Sequence, residues 1–225
     1  MAVFGKLVAE ALGTFAIVLI GVGSVCSNAV PGVGFGLVGI ALTFGLVVAM
    51  MVATLGHISG AHINPAFTVV SVALRQTRLT LGLAYIAAQI AGATLGALCL
   101  QAFYSPEILA RIAGGTTRLA PGVSPMLGFA IEVVLTFFLI LVVYGAAIDE
   151  KGSKLGAIAI GGIVAALVLV GAPLTGTSMN PARSLGPAIV FGQWQDHWVY
   201  WAGPIVGAVV AGFTYEYLLK RRATH

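Results

Sequence analysis

Six stretches of this chain run for about 20 residues with almost no charge: Leu7–Cys26, Gly36–Leu55, Leu79–Phe103, Pro125–Ala147, Leu155–Leu174 and Trp198–Leu219. A helix of that length matches the ~30 Å hydrocarbon core of a bilayer. Hydrocarbon offers no hydrogen-bond partners, so a spanning segment has to satisfy its backbone internally, and these runs predict membrane-spanning helices. The composition agrees. Of 225 residues, 59% are hydrophobic and 8% are charged, too few to coat the surface of a soluble domain of this size. The fold class expected is therefore an all-α membrane protein.

Two shorter apolar segments, Asn64–Leu74 and Asn180–Val190, do not fit that pattern. Each would make ~16 Å of helix, half a membrane thickness, so neither can span alone. Each opens with Asn-Pro-Ala: Asn64, Pro65 and Ala66, and Asn180, Pro181 and Ala182. Asn is a strong N-cap, and Pro suits the first helical position because its missing N–H has no helical partner there. The residues just before, "GHISGAH" and "TGTS", read as extended loops. Irregular backbone at membrane depth is tolerated only where it is packed in protein or lines a wet cavity. The reading is of two loops that enter from opposite faces, turn at mid-membrane and return as half-helices whose N-termini meet. The carbonyls of Gly60, Ala61, His62 and Ile63, and of Gly176, Thr177, Ser178 and Met179, then line a narrow water-filled path. Each helix N-terminus carries roughly +0.5 of an elementary charge, and two Asn amides donate toward the same point. A neutral solute with lone pairs can accept those bonds, whereas a cation, hydronium included, meets a barrier.

The chain repeats itself. "EALGTF" at 10–15 matches "EVVLTF" at 132–137, an offset of 122, and the two Asn-Pro-Ala boxes are offset by 116. Each half reads span, span, half-helix, span. With three full spans per half, the second half enters from the opposite side. The expectation is one domain, 1–225, built from inverted repeats of about 1–118 and 119–225. With both termini in the cytoplasm, Lys6, Arg75, Arg78, Lys151, Lys154, Lys220, Arg221 and Arg222 lie inside, and only Arg111 and Arg118 outside. That positive-inside bias fixes the orientation of a multi-pass protein of the cell (inner) membrane. The net charge of +4 is topology information, not a nucleic-acid footprint. Trp194, Trp198, Tyr200 and Trp201 form an aromatic belt at the outer start of the last span.

At these residues the sequence resembles the aquaporin (major intrinsic protein) family, in particular its bacterial aquaporin Z type. "SGAHINPA" and "NPARS" carry the resemblance, which covers essentially the whole chain. It implies six tilted helices and two re-entrant half-helices per protomer, and a homotetramer with a pore in each protomer. It also implies a second filter toward the outer mouth, at Phe44, Val168, Thr177 and Arg183. Arg183, a charge deep in the membrane, would donate to a passing solute and repel cations. Val168 is a departure, because water-selective members resemble one another in carrying His there. An aliphatic residue makes the constriction wider and more apolar. Glycerol-conducting members usually carry Asp after "NPAR", where this chain has Ser184, and Ala188 with Tyr200–Trp201 is similar to the water channels.

The remaining polar residues have plainer readings. Glu10 and Glu132 occupy equivalent repeat positions. A proton relay is one use for buried acids, but the preferred reading is that each carboxylate accepts from loop N–H groups that no helix satisfies. His57 and His62, five apart, have no third ligand nearby, so no metal is expected, and no cofactor either. His57 is expected to order the loop. Cys26 and Cys99 sit in apolar surroundings and suggest packing. The alternative function is a secondary transporter, which also uses broken helices, but its coupling ion would want carboxylates and carbonyls, not helix N-termini. An ion channel would show charged rings or a cation-sized carbonyl filter. An enzyme would need more than Ser59 near His57. The sequence therefore points to a passive channel for water and small uncharged solutes in a lipid bilayer.

Overall fold

A computed structural model of the chain describes residues 3–152 and 155–220. Lys154, Arg221 and Arg222, three of the inside charges, fall outside the described residues. Among the described residues, six helices are long and apolar enough to cross a membrane: Val3–Asn28, Gly36–Ser59, Leu79–Phe103, Pro125–Ile148, Gly156–Thr175 and Val199–Leu219. Two short helices, Pro65–Ala73 and Pro181–Phe191, lie between the second and third spans and between the fifth and sixth. The order of elements is thus the same in both halves of the chain.

Packing joins the halves. The first span packs on the second and third, and the fourth on the fifth and sixth. Each half-helix also crosses to the other half: Pro181–Phe191 packs on the third span, and Pro65–Ala73 on the sixth. Small residues let these helices approach. A Cβ on Gly45 would lie 2.5 Å from the Gly161 carbonyl oxygen, and one on Gly161 would lie 2.4 Å from that of Gly45, so the second and fifth spans touch backbone to backbone. The outward faces are apolar. Val38, Leu42, Leu46 and Met50, spaced by four along the second span, are all more than half exposed. A stripe like this suits lipid and not water.

Several details differ from the sequence reading. The second span runs to Ser59, so His57 lies on its last turn, exposed, and makes no hydrogen bond to the loop among the described residues. Tyr200 is not part of the interfacial belt. It is fully buried, while Trp194 and Trp198 are about half exposed. The connection after the third span carries a short helix, Pro106–Arg111, followed by left-handed backbone at Ala113, Gly114 and Gly115. Three spans contain a π-helical turn, at Ile17–Val22, Tyr144–Ile148 and Tyr215–Leu219.

Candidate functional site

The half-helices start as their sequence dictates. Asn64 is extended (φ −159°, ψ 118°), and its side-chain oxygen accepts from Ala66 N–H at 2.9 Å. Asn180 is extended too (φ −151°, ψ 105°) and accepts from Ala182 N–H at 3.0 Å and Arg183 N–H at 3.3 Å. Pro65 and Pro181 follow at the first helical position. The amide nitrogens then reach across. Asn64 Nδ2 donates to the Met179 carbonyl at 2.8 Å, and Asn180 Nδ2 donates to the Ile63 carbonyl at 2.8 Å. Each cap therefore holds its own helix with its oxygen and the opposite loop with its nitrogen. The sequence placed both amides at one point but not this reciprocal brace. It also occupies one lone pair on each of two carbonyls expected along the pore.

The loops ahead of the caps have unusual backbone. φ is positive at Gly60 (90°), Ala61 (44°) and Ile63 (40°), and at Gly176 (76°), Thr177 (46°) and Met179 (51°). Left-handed conformations at non-glycine residues cost of order 1–3 kcal/mol each and persist only when the surroundings impose them. Two carboxylates supply the constraint. Glu10 accepts from Ser59 Oγ (2.6 Å), His62 N–H (2.9 Å), Ile63 N–H (2.6 Å) and Gln89 Nε2 (2.7 Å). Glu132 accepts from Thr175 Oγ1 (2.7 Å), Ser178 N–H (2.9 Å) and Met179 N–H (2.8 Å). Both glutamates are fully buried.

Other partners were not legible in the sequence. Tyr85 donates its hydroxyl to Ser59 O at 2.9 Å and Tyr200 to Thr175 O at 3.0 Å, so a buried tyrosine holds the start of each loop. Gln89 belongs to the first loop alone. Its Nε2 also donates to Thr68 Oγ1 at 3.0 Å. The Thr68 hydroxyl in turn donates to Asn64 O at 3.0 Å and pairs with His62 Nδ1 at 3.1 Å. With its one proton committed to Asn64 O, the Thr68 hydroxyl accepts a hydrogen bond from His62 Nδ1–H. The second loop has Ser178 and Ser184 hydrogen-bonded to each other at the corresponding positions.

A cavity of about 830 Å³ runs past these groups. Its lining includes Lys6 and Arg78, Asn64 and Asn180, and Phe44, Val168, Thr177 and Arg183. Apolar side chains such as Ile17, Val48, Val52, Phe67 and Val164 contribute to it, as do the loop residues Gly60, Ala61, His62, Ile63, Ser178 and Met179, whereas the expected Gly176 is not among the lining residues. The four expected filter residues therefore share one cavity. Arg183 is 4% exposed, and its guanidinium carbon lies 5.1 Å from the centre of the Phe44 ring. Arg183 Nη1 donates to the Gly115 carbonyl at 3.3 Å, which the left-handed turn at 113–115 presents. Among the described residues Arg183 makes no ion pair, and its Nε has no protein partner.

Known proteins share this arrangement of sequence and fold. The family model for the major intrinsic protein family matches residues 1–215. Aquaporin-4 of Mus musculus is 41% identical, over 95% of this chain and 69% of its own length. Aquaporin TIP4-4 of Zea mays is also 41% identical, over 97% of this chain and 88% of its own. The solved structure of the aquaglyceroporin from Plasmodium falciparum superposes with a TM-score of 0.88 over 99% of both chains, at 24% identity, and so shares the fold. The chain belongs to the aquaporin (major intrinsic protein) family: it is a multi-pass membrane protein that forms a passive channel for water and small solutes, and it is not an enzyme.

Proposed function

We propose that the pore conducts water together with small uncharged solutes such as glycerol, ammonia and dissolved gases, and excludes protons and other ions. The observation that carries this reading is the reciprocal brace, Asn64 Nδ2 to Met179 O and Asn180 Nδ2 to Ile63 O, in the cavity that both asparagines line. It holds two helix N-termini at one place, and their partial positive charges add there. Each Asn amide keeps one N–H for a passing solute. A water or alcohol oxygen accepts it, while a cation is repelled.

The remaining roles follow from position. Gly60, Ala61, His62, Ile63, Thr177, Ser178 and Met179 offer carbonyls that accept the solute's own hydrogens. Glu10 and Glu132 hold those carbonyls in place. Phe44, Val168, Thr177 and Arg183 form the narrow filter. There the Arg183 guanidinium supplies donors, and Phe44 and Val168 an apolar wall. Val168 in place of an imidazole leaves room for solutes larger than water. A coupled transporter would need carboxylate oxygens free for an ion, and those of Glu10 and Glu132 are taken up by N–H and O–H donors. The chain acts as one domain of two inverted repeats, assembles as a homotetramer, and sits in the cell membrane with both termini in the cytoplasm.

Stopped-flow light scattering on proteoliposomes, comparing water, glycerol, urea and ammonia, tests the solute range. Linear, unsaturating flux with a low activation energy is expected. Saturable flux coupled to an ion gradient would overturn the reading.

A further inference from the structure

The structure assigns Gly21, which does not line the cavity, the role of setting the filter's width through the Phe44 ring; the inference rests on the filter reading above. Gly21 lies in the π-helical turn Ile17–Val22 of the first span and is buried. A Cβ at this position would meet three ring atoms of Phe44: Cε1 at 2.6 Å, Cδ1 at 2.7 Å and Cζ at 3.1 Å. The ring thus lies flush on a bare stretch of backbone. Phe44 lines the cavity, and the Arg183 guanidinium carbon lies 5.1 Å from the ring centre. Glycine at 21 lets the ring lie back, and any side chain there would drive it forward.

The backbones on either side cannot absorb the clash. Next to Phe44, Gly45 is locked against the Gly161 carbonyl of the fifth span. Next to Gly21, the first span is held against the third, where a Cβ on Gly96 would already lie 3.0 Å from Val18 Cβ and 3.2 Å from Leu19 N. The movable part is the Phe44 side chain, with its two rotatable bonds. Ordinary contact begins at 3.4 Å, so a methyl at 21 moves the ring edge by about 0.8 Å or more. Gly21 lies outside the cavity lining and Phe44 within it, so a ring pushed off Gly21 encroaches on the space that it shares with Arg183.

Gly21→Ala therefore sharpens selectivity without changing any residue that a solute touches. Four proteins are compared in proteoliposomes: wild type, Gly21→Ala, Phe44→Leu and the double variant. Permeability is measured for water and for the largest solute that wild type conducts among ammonia, urea and glycerol. Gly21→Ala should lower the larger solute roughly tenfold and water less than about twofold, as overpacking a tight constriction predicts. If wild type conducts nothing larger, the loss falls on water itself. Phe44→Leu should raise passage of larger solutes, and the double variant should match it, since no ring remains to push. If Phe44→Leu changes nothing, the filter reading fails. If Phe44→Leu widens the pore but Gly21→Ala leaves the permeabilities unchanged, the inference about Gly21 fails alone. A loss in Gly21→Ala that Phe44→Leu does not relieve also contradicts it.

Discussion

Replacing Glu10 by Leu removes the acceptor of four hydrogen bonds at one stroke. Two donors have a second partner or an alternative. Gln89 Nε2 keeps Thr68, and the Ser59 hydroxyl can rotate. The N–H groups of His62 and Ile63 have neither, and both residues are at least nine-tenths buried. An unsatisfied buried donor costs about 1–3 kcal/mol, so the pair comes to roughly 2–6 kcal/mol. The left-handed backbone at Ala61 and Ile63 holds strain of order 1–3 kcal/mol per residue. These magnitudes are comparable, so the loop relaxes once the carboxylate is gone. Ile63 then swings its carbonyl away from Asn180 Nδ2, and the brace between the halves opens. The expected result for Glu10→Leu is a loss of several kcal/mol, about 2–6, in detergent unfolding, with water permeability reduced more than about tenfold at matched protein density. Glu10→Gln should be milder. Its amide oxygen can keep Ser59 and His62, and Gln89, whose Oε1 is unpartnered, can flip to accept from the new NH₂. Ile63 N–H is then stranded, at about 1–3 kcal/mol, and the flip gives up the Gln89–Thr68 bond, about 1 kcal/mol more. A Glu10→Leu protein that unfolds like wild type and conducts water fully would refute this account of the loop.

Three further outcomes are expected. Val168→His should cut permeability to glycerol, urea or ammonia much more than to water, because steric exclusion outweighs the roughly 1 kcal/mol of one added neutral hydrogen bond; equal solute exclusion by wild type and variant in proteoliposome assays would count against it. Mercury should leave water flux unchanged, since Cys26 is fully buried, Cys99 is partly buried, and neither lines the cavity; inhibition that persists in a Cys26→Ser/Cys99→Ser protein, or that is traced to either cysteine, would contradict this. At the C-terminal ends of the fourth and sixth spans, the Lys151 N–H and then the Tyr215 hydroxyl hold the Asp149 carboxylate below its usual range. A depressed carboxylate stabilises above its ordinary pKa and loses that contribution as pH falls through the depressed value. Amide exchange at residues 149–152, corrected for intrinsic rates, should therefore rise at acid pH in wild type and lose that step in Asp149→Asn.

The spans and half-helices were legible because length and polarity suffice for them. Asn-Pro is a start signal that little else explains in apolar sequence. The glutamates could be singled out because charge in such runs is rare. What the sequence hid was tertiary. Ala61, Ile63, Thr177 and Met179 are residue types that disfavour positive φ, so local propensity argues against the conformation they adopt. It exists because carboxylates distant in sequence hold the N–H groups of His62, Ile63, Ser178 and Met179. Tyr85 and Gln89 look like ordinary members of an apolar helix, and Tyr200 looked like a belt residue beside three tryptophans. Only the packing shows that their polar ends face loops. The π turns, and the bare backbone that Gly21 offers to Phe44, leave no periodic signal at all.

The central claim is that two braced helix N-termini pass neutral solutes and stop charge. Asn180→Asp tests it most directly, because it places a carboxylate at the junction while leaving an oxygen to cap Ala182 and Arg183 N–H. The measurement is proton and cation conductance of wild-type and Asn180→Asp proteoliposomes under a clamped potential, with water permeability and assembly checked in the same samples. The account predicts no ion conductance above protein-free liposomes in wild type, and a measurable proton or cation leak in the folded variant. An ion conductance in Asn180→Asp as low as in wild type, with water still flowing, would contradict it.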